Sequence, residues 1–77
     1  MEGYNPKDFL LFALKHFEIS IISEQGKMVY LEKNYVIEIE GENLFKLLQD
    51  DQVIAPFGDI EELCQFIKMD MQLNGKD

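Results

Sequence analysis

His16 and Cys64 are the only imidazole and the only thiol in the sequence. Together they bound any nucleophilic chemistry it could perform. A thiol–imidazole dyad requires the two groups in hydrogen-bond contact, and here only the fold could join them. Cys64 falls on an apolar stripe at helical spacing, where cysteine behaves as a small hydrophobe. His16 falls near the end of a helical segment, where an imidazolium is favoured by the helix dipole. Both residues therefore read as structural. One Cys cannot close an internal disulfide, and one Cys with one His falls short of the three or four ligands of a zinc site.

The acids invite a second chemistry. Asp50, Asp51, Asp59, Glu61 and Glu62 crowd one region, which suggests a calcium loop. Counting from Asp50 places Gln52, Ile54, Ala55 and Glu61 at the third, fifth, sixth and twelfth loop positions. Ile54 offers no side-chain ligand, and Ala55 stands where the loop needs glycine. The acids are better read as turn and helix-cap residues. None of the glycines Gly3, Gly26, Gly41, Gly58 or Gly75 falls in a phosphate-cradling pattern. The strand–loop–helix unit around Gly58 carries Asp59, Glu61 and Glu62 at the helix start, and these would repel a phosphate. No catalytic, cofactor-binding or metal-binding residue is expected, and no cofactor.

Charge narrows the partners. The net charge is −8 and the basic residues are all Lys. Without Arg the chain lacks the usual bidentate reader of phosphate and guanine, and an acidic surface repels a polyanion. No nucleic-acid partner is expected. The apolar run from Phe9 to Leu14 is far shorter than the ~20 residues of a membrane span. The segment Met1 to Asp8 has no basic start, so the run after it does not read as a signal peptide. No membrane partner is expected, and the setting is read as cytoplasmic and reducing.

These residues must be held by the following elements. Asn5 is an N-cap and Pro6 suits the first helical position, so a helix opens there with Asp8 in its first turn. Its body, Asp8 to Phe17, is apolar nearly all round and calls for cover on more than one side. Three strands follow, at Glu18–Ser23, Lys27–Leu31 and Tyr35–Glu40, rich in Ile, Val and Tyr. Three-residue loops, Glu24-Gln25-Gly26 and Glu32-Lys33-Asn34, pair Ile21 with Val29, Ile19 with Leu31, Leu31 with Tyr35 and Val29 with Ile37. A short helix is expected over Glu42–Gln49, where Leu44, Leu47 and Leu48 have helical spacing. A fourth strand follows over Val53–Phe57, with Pro56 confining its end to an edge. Asp59 and Glu62 form a capping box for the last helix, Ile60 to Met71. Residues 72–77 read as a frayed tail.

The predicted fold class is thus α+β. A small antiparallel three-stranded meander plus a short fourth strand has helices packed on it, in the order α-β-β-β-α-β-α, as a single domain over residues 1–77. In architecture alone this order resembles that of small acidic secretion chaperones, which are dimers, although this chain is much shorter. The inner core is expected to hold Ile19, Ile21, Val29, Leu31, Ile37 and Ile39, packed by Phe9, Ala13, Phe17, Leu63 and Ile67.

The outer sheet face carries the candidate interaction surface, Ile22, Met28, Tyr30 and Val36, with Ser20 among them and Glu18, Glu32, Glu38 and Glu40 around them. An apolar patch with an acidic rim suits an interface. The competing expectation is that a helix of the same chain covers it. A chain of this size has a thin core, so a homodimer through this patch is expected, with any other protein partner unknown. The leading functional expectation is a small, acidic, non-enzymatic protein-interaction or adaptor domain. The alternative is an acidic inhibitor or nucleic-acid mimic that binds a basic protein. A small enzyme stands third, because catalysis needs convergent polar groups in a pocket.

Overall fold

A computed structural model describes residues 5–74 of the chain. The readings made at Met1–Tyr4 and over residues 75–77 lie outside the described residues, while residues 72–74, expected to fray, continue the last helix. The remainder forms α1 (Pro6–His16), β1 (Ile21–Gln25), β2 (Met28–Leu31), β3 (Tyr35–Gly41), β4 (Leu44–Gln49), β5 (Gln52–Phe57) and α2 (Ile60–Asn74). The five strands form one antiparallel sheet in the order β1-β2-β3-β4-β5. The class is α+β, as the alternation of the strands and the periodicity of the two helices require.

Both helices start as the sequence dictates. The Asn5 side chain accepts hydrogen bonds from the amides of Lys7 at 3.0 Å and Asp8 at 3.4 Å. The Asp59 carboxylate accepts from the amide of Glu61 at 2.9 Å. Each cap satisfies donors that a helix start leaves unpaired. α1 ends on a two-bond cap. The amide of Ile19 donates to the Leu14 carbonyl at 2.8 Å, and that of Glu18 to the Lys15 carbonyl at 2.9 Å. This geometry places Glu18 in the left-handed region, φ 60°, where glycine is usual. Leu14 and Ile19 are both buried, giving the apolar contact that accompanies such a cap.

That cap corrects the first strand. Glu18, Ile19 and Ser20 are consumed by the helix end, so β1 begins at Ile21. The loop after it is also shorter than predicted. Gln25 pairs with Met28, Glu24 with Val29 and Ser23 with Tyr30, which leaves Gly26-Lys27 as a two-residue turn with Gly26 at φ +56°. Such a register alone would turn Ile21 outward. A bulge at Ile22 shifts it back, so Ile21 pairs with Leu31 rather than with Val29. The second hairpin has the predicted register, Val29 opposite Ile37 across the Glu32-Lys33-Asn34 turn.

The segment 42–49 is a strand, β4, and not a helix. Leu44, Leu47 and Leu48 fit a helical spacing. Phe45 and Leu47 equally fit an alternating one, and short apolar runs do not distinguish the two. Turns decide it: Glu42-Asn43 and Asp50-Asp51 are two-residue connections that leave six residues between them. Asp50 and Asp51 both have positive φ, 54° and 68°, as such hairpin turns favour. The expected order α-β-β-β-α-β-α therefore gives way to five consecutive strands between two helices, and the architectural resemblance to secretion chaperones lapses. The predicted fourth strand is β5, an edge strand paired with β4.

One core lies between the inner sheet face and the helices. Val29, Leu31, Tyr35, Ile37, Ile39, Phe45 and Leu47 supply the sheet side. Leu10 and Leu14 of α1 and Ile60, Leu63, Cys64 and Ile67 of α2 supply the other. The α2 stripe is the one predicted. On α1 the core residues are Leu10 and Leu14, with Ala13 and Phe17 only partly buried and Phe9 52% exposed. Phe9 is therefore not a core residue, and Ile21 is only half-buried. Tyr35 is the one buried residue among these with a hydroxyl, and its OH donates to the Asp70 carboxylate on α2.

Candidate functional site

Alternation sends every second strand residue to the face opposite the helices. Cross-strand pairing then aligns those residues into rows. Ser23 pairs with Tyr30, Tyr30 with Val36, Val36 with Leu48, and Leu48 with Val53. This row crosses all five strands. At the β1 end the bulge presents Ile22, 67% exposed, and at the β5 end Val53 is 55% exposed. A second row, two residues along each strand, runs Met28, Glu38, Lys46, Pro56. Both helices pack on the other side, so among the described residues no helix covers these rows.

The four predicted surface residues thus share one face. Ile22, Tyr30 and Val36 line a common groove of about 420 Å³ with Ser23, Asn34 and the Asp50-Asp51 turn. Met28 sits in the second row, outside the groove lining. The structure adds Leu48 and Val53, which the helical reading of 42–49 had hidden. Ser20 lies before β1, and Glu18 belongs to the α1 cap, so neither is a rim residue of the strands.

Electrostatics divide along the same rows. Lys46 donates to Glu40 at 3.0 Å. That hydrogen bond, the Glu40 charge and more distantly Glu38 raise the Lys46 ammonium above its ordinary pKa. At the other end of the face the two turns clasp each other. Asn34 donates through Nδ2 to the Asp50 carboxylate at 2.9 Å, and Gln49 donates through Nε2 to the Lys33 carbonyl at 3.3 Å. Asp51 and Lys33 are exposed beside them.

The two edges of the sheet are interrupted. β1 carries the bulge at Ile22. β5 pairs Leu47 with Ala55 and Leu48 with Val53, so Ile54 bulges there, and Pro56 lacks an amide hydrogen. Bulges and proline discourage the addition of another strand.

A second groove, about 460 Å³, lies between α1, the β3–β4 turn and the start of α2. Phe9, Phe12, Phe17 and Phe45 line it, with His16, Asp59 and Glu61. His16 also meets Phe17 edge to face at 5.7 Å. Its carboxylate Asp59 is engaged in capping α2.

Cys64 is fully buried, and burial, with the Glu61 charge adding to it, pushes its thiol up to about 12. A thiol held that high is not a thiolate at neutral pH and is a poor nucleophile. His16, by contrast, is exposed. Among the described residues no three His, Cys, Asp or Glu side chains gather to hold a metal ion. Among them, too, no helix is long and apolar enough to cross a membrane. The chain matches no protein-family model, no curated protein and no solved structure.

Proposed function

We propose that this chain is a non-enzymatic protein-interaction domain that docks through the open face of its sheet. The observation that carries this reading is the row Ile22, Tyr30, Val36, Leu48 and Val53, which crosses all five strands on the face the helices leave uncovered. The middle of this face is rigid, because β2, β3 and β4 are backed by the packed core. Its apolar residues lose little conformational freedom on binding, which favours association. The interrupted edges direct binding to the face and away from strand addition. One acid at each groove has a structural task, Asp59 at a helix cap and Asp50 in a turn, and the only thiol is sealed in the core. That distribution favours a binding module over an enzyme.

A photo-crosslinking residue placed at Val36 tests the proposal in the source cells, with the same residue at Gln65 on the exposed side of α2 as control. Covalent adducts to one identified protein at position 36, and none at position 65, are expected. Absence of adducts at position 36 would contradict the reading.

A further inference from the structure

The geometry points to a second copy of this chain as the occupant of the open face, joined about a twofold axis that runs along the Tyr30–Val36–Leu48 row. This rests on the docking proposal above and specifies the partner.

Consider two such sheets face to face, with the axis in the interface and along that row. Each strand then lies over its own copy, and the row lies over itself. Residues on one side of the row in one molecule meet residues on the other side in its mate. Two residues along a strand is a displacement of about 6.8 Å. On β4 that displacement leads from Leu48 to Lys46 in one direction and to Asp50 in the other; Asp51 adjoins Asp50 in the turn. The axis therefore sets Lys46 of one copy over Asp50 and Asp51 of the other, and the reverse contact follows by symmetry. On β3 the same step leads from Val36 to Glu38 and to Asn34, so Glu38 faces the Lys33-Asn34 turn of the mate. The face of one molecule carries Lys33 and Lys46 among its acids, Lys46 already paired with Glu40, and in this register each lysine also meets an acid of the mate. A net charge of −8 disfavours random approach, and this register is one that brings opposite signs together.

Shape agrees with charge. The groove lined by Ile22, Tyr30, Val36 and the Asp50-Asp51 turn lies on the turn side of the row. Met28 lies on the opposite side, on β2. The twofold swings Met28 of the second copy into that groove, where its flexible thioether can fill an irregular space. The exposed face is sufficient for a weak dimer. Its five strands at about 4.8 Å spacing, each some six residues at ~3.3 Å, project to roughly 24 by 20 Å per copy. Two copies bury close to 1,000 Å² before side-chain relief is counted, at about the low end of specific interfaces. Area alone does not set affinity, and a dissociation constant of about 10–100 µM is taken as the range of a weak interface.

Sedimentation equilibrium between ~5 and ~500 µM measures it, because mass action populates a dimer of that affinity across the range. Circular dichroism and thermal melts establish that each variant is folded. The wild type is expected to dimerise. Met28→Ala should weaken the dimer about tenfold and Val36→Lys should abolish it, since the first empties the groove contact beside the row and the second charges the row itself. Lys46→Glu and Asp51→Lys should each weaken it about fivefold, and the two together should regain wild-type affinity to within about twofold, because the reversed pair is again complementary. Lysine can occupy the left-handed position 51 at some cost in strain, as Lys33 does at φ 60° in its own turn, and the melts register that cost separately from dimer affinity. A wild type that stays monomeric throughout overturns the inference. If the position-36 crosslinks then identify a different protein, the docking proposal stands without it. A dimer that Met28→Ala leaves unchanged, or a double charge reversal weaker than either single change, overturns the register.

Discussion

Val29, Ile37 and Leu47 on the inner sheet face are wholly buried beneath the helices. One residue along each strand, Tyr30, Val36 and Leu48 make a second apolar row that is only half-buried. The two faces use the same residue types and the same backbone. They differ in what covers them. The inner row meets Leu10, Leu14, Leu63 and Ile67 and closes a core; the outer row meets solvent. A soluble chain rarely leaves a contiguous apolar row uncovered without a use for it. On the docking proposal, stability and association divide between alternate residues of the same strands, and neighbouring substitutions should separate them.

The sharpest contrast is between adjacent residues of β3. Ile37→Ala opens a cavity at a fully buried position and should destabilise the fold by about 2–5 kcal/mol. Val36→Ala, one residue away, should change monomer stability by less than about 1 kcal/mol. Denaturant melts at low protein concentration measure both. Equal losses would erase the distinction between the faces.

Cys64 probes the inner side through pH. Its thiol is pushed up to about 12 in the fold, against about 8.5 in an unfolded chain. The folded state therefore holds the proton more tightly. The contribution is complete below the unfolded value and is lost as pH rises from about 8.5 towards 12, by no more than ~1.4 kcal/mol per pH unit. Wild type should lose stability faster than Cys64→Ala over that interval in chemical melts. Parallel curves for the two proteins would place the thiol in a wetter site. Tyr35→Phe removes the hydroxyl that meets Asp70 and should cost about 1–2 kcal/mol, the worth of a hydrogen bond to a charged group. A neutral result would mean that water replaces the phenol there.

The smallest effect lies outside both faces and should be a gain. Glu18 holds a left-handed conformation at the α1 cap. Glu18→Gly should stabilise the chain by about 0.5–1 kcal/mol by relieving that strain. A loss would show that the Glu18 side chain makes a contact worth more than the strain.

Much of this was legible in the residues. Asn5 and Pro6, and then Asp59, announce the helix starts through side chains that can accept from a backbone amide. The α2 stripe and the β2–β3 register follow from periodicity and from keeping apolar side chains on one face. Three features were not legible, each because a local compensation overrides the pattern. A residue in positive φ, Glu18, ends α1 without glycine. A bulge at Ile22 allows a two-residue turn that would otherwise turn Ile21 to the wrong face. β4 reads as helix because its leucines satisfy both periods. The last of these concealed two residues of the candidate site, since Leu48 and Val53 join the outer row only once β4 and β5 are paired strands. That Ile22, Met28, Tyr30 and Val36 share a face was legible from alternation, although the register assumed for Ile22 was wrong.

The central claim is that the outer row, and not the aromatic groove of α1, is where this molecule meets a second copy. Backbone chemical shifts followed from ~20 µM to ~1 mM protein test it residue by residue, as mass action fills the dimer over that range. Concentration-dependent shifts are expected at Ile22, Met28, Tyr30, Val36, Leu48 and Val53, with Phe9, Phe12 and Glu61 unmoved. Shifts confined to Phe9, Phe12 and Glu61, or none at any concentration, would contradict it.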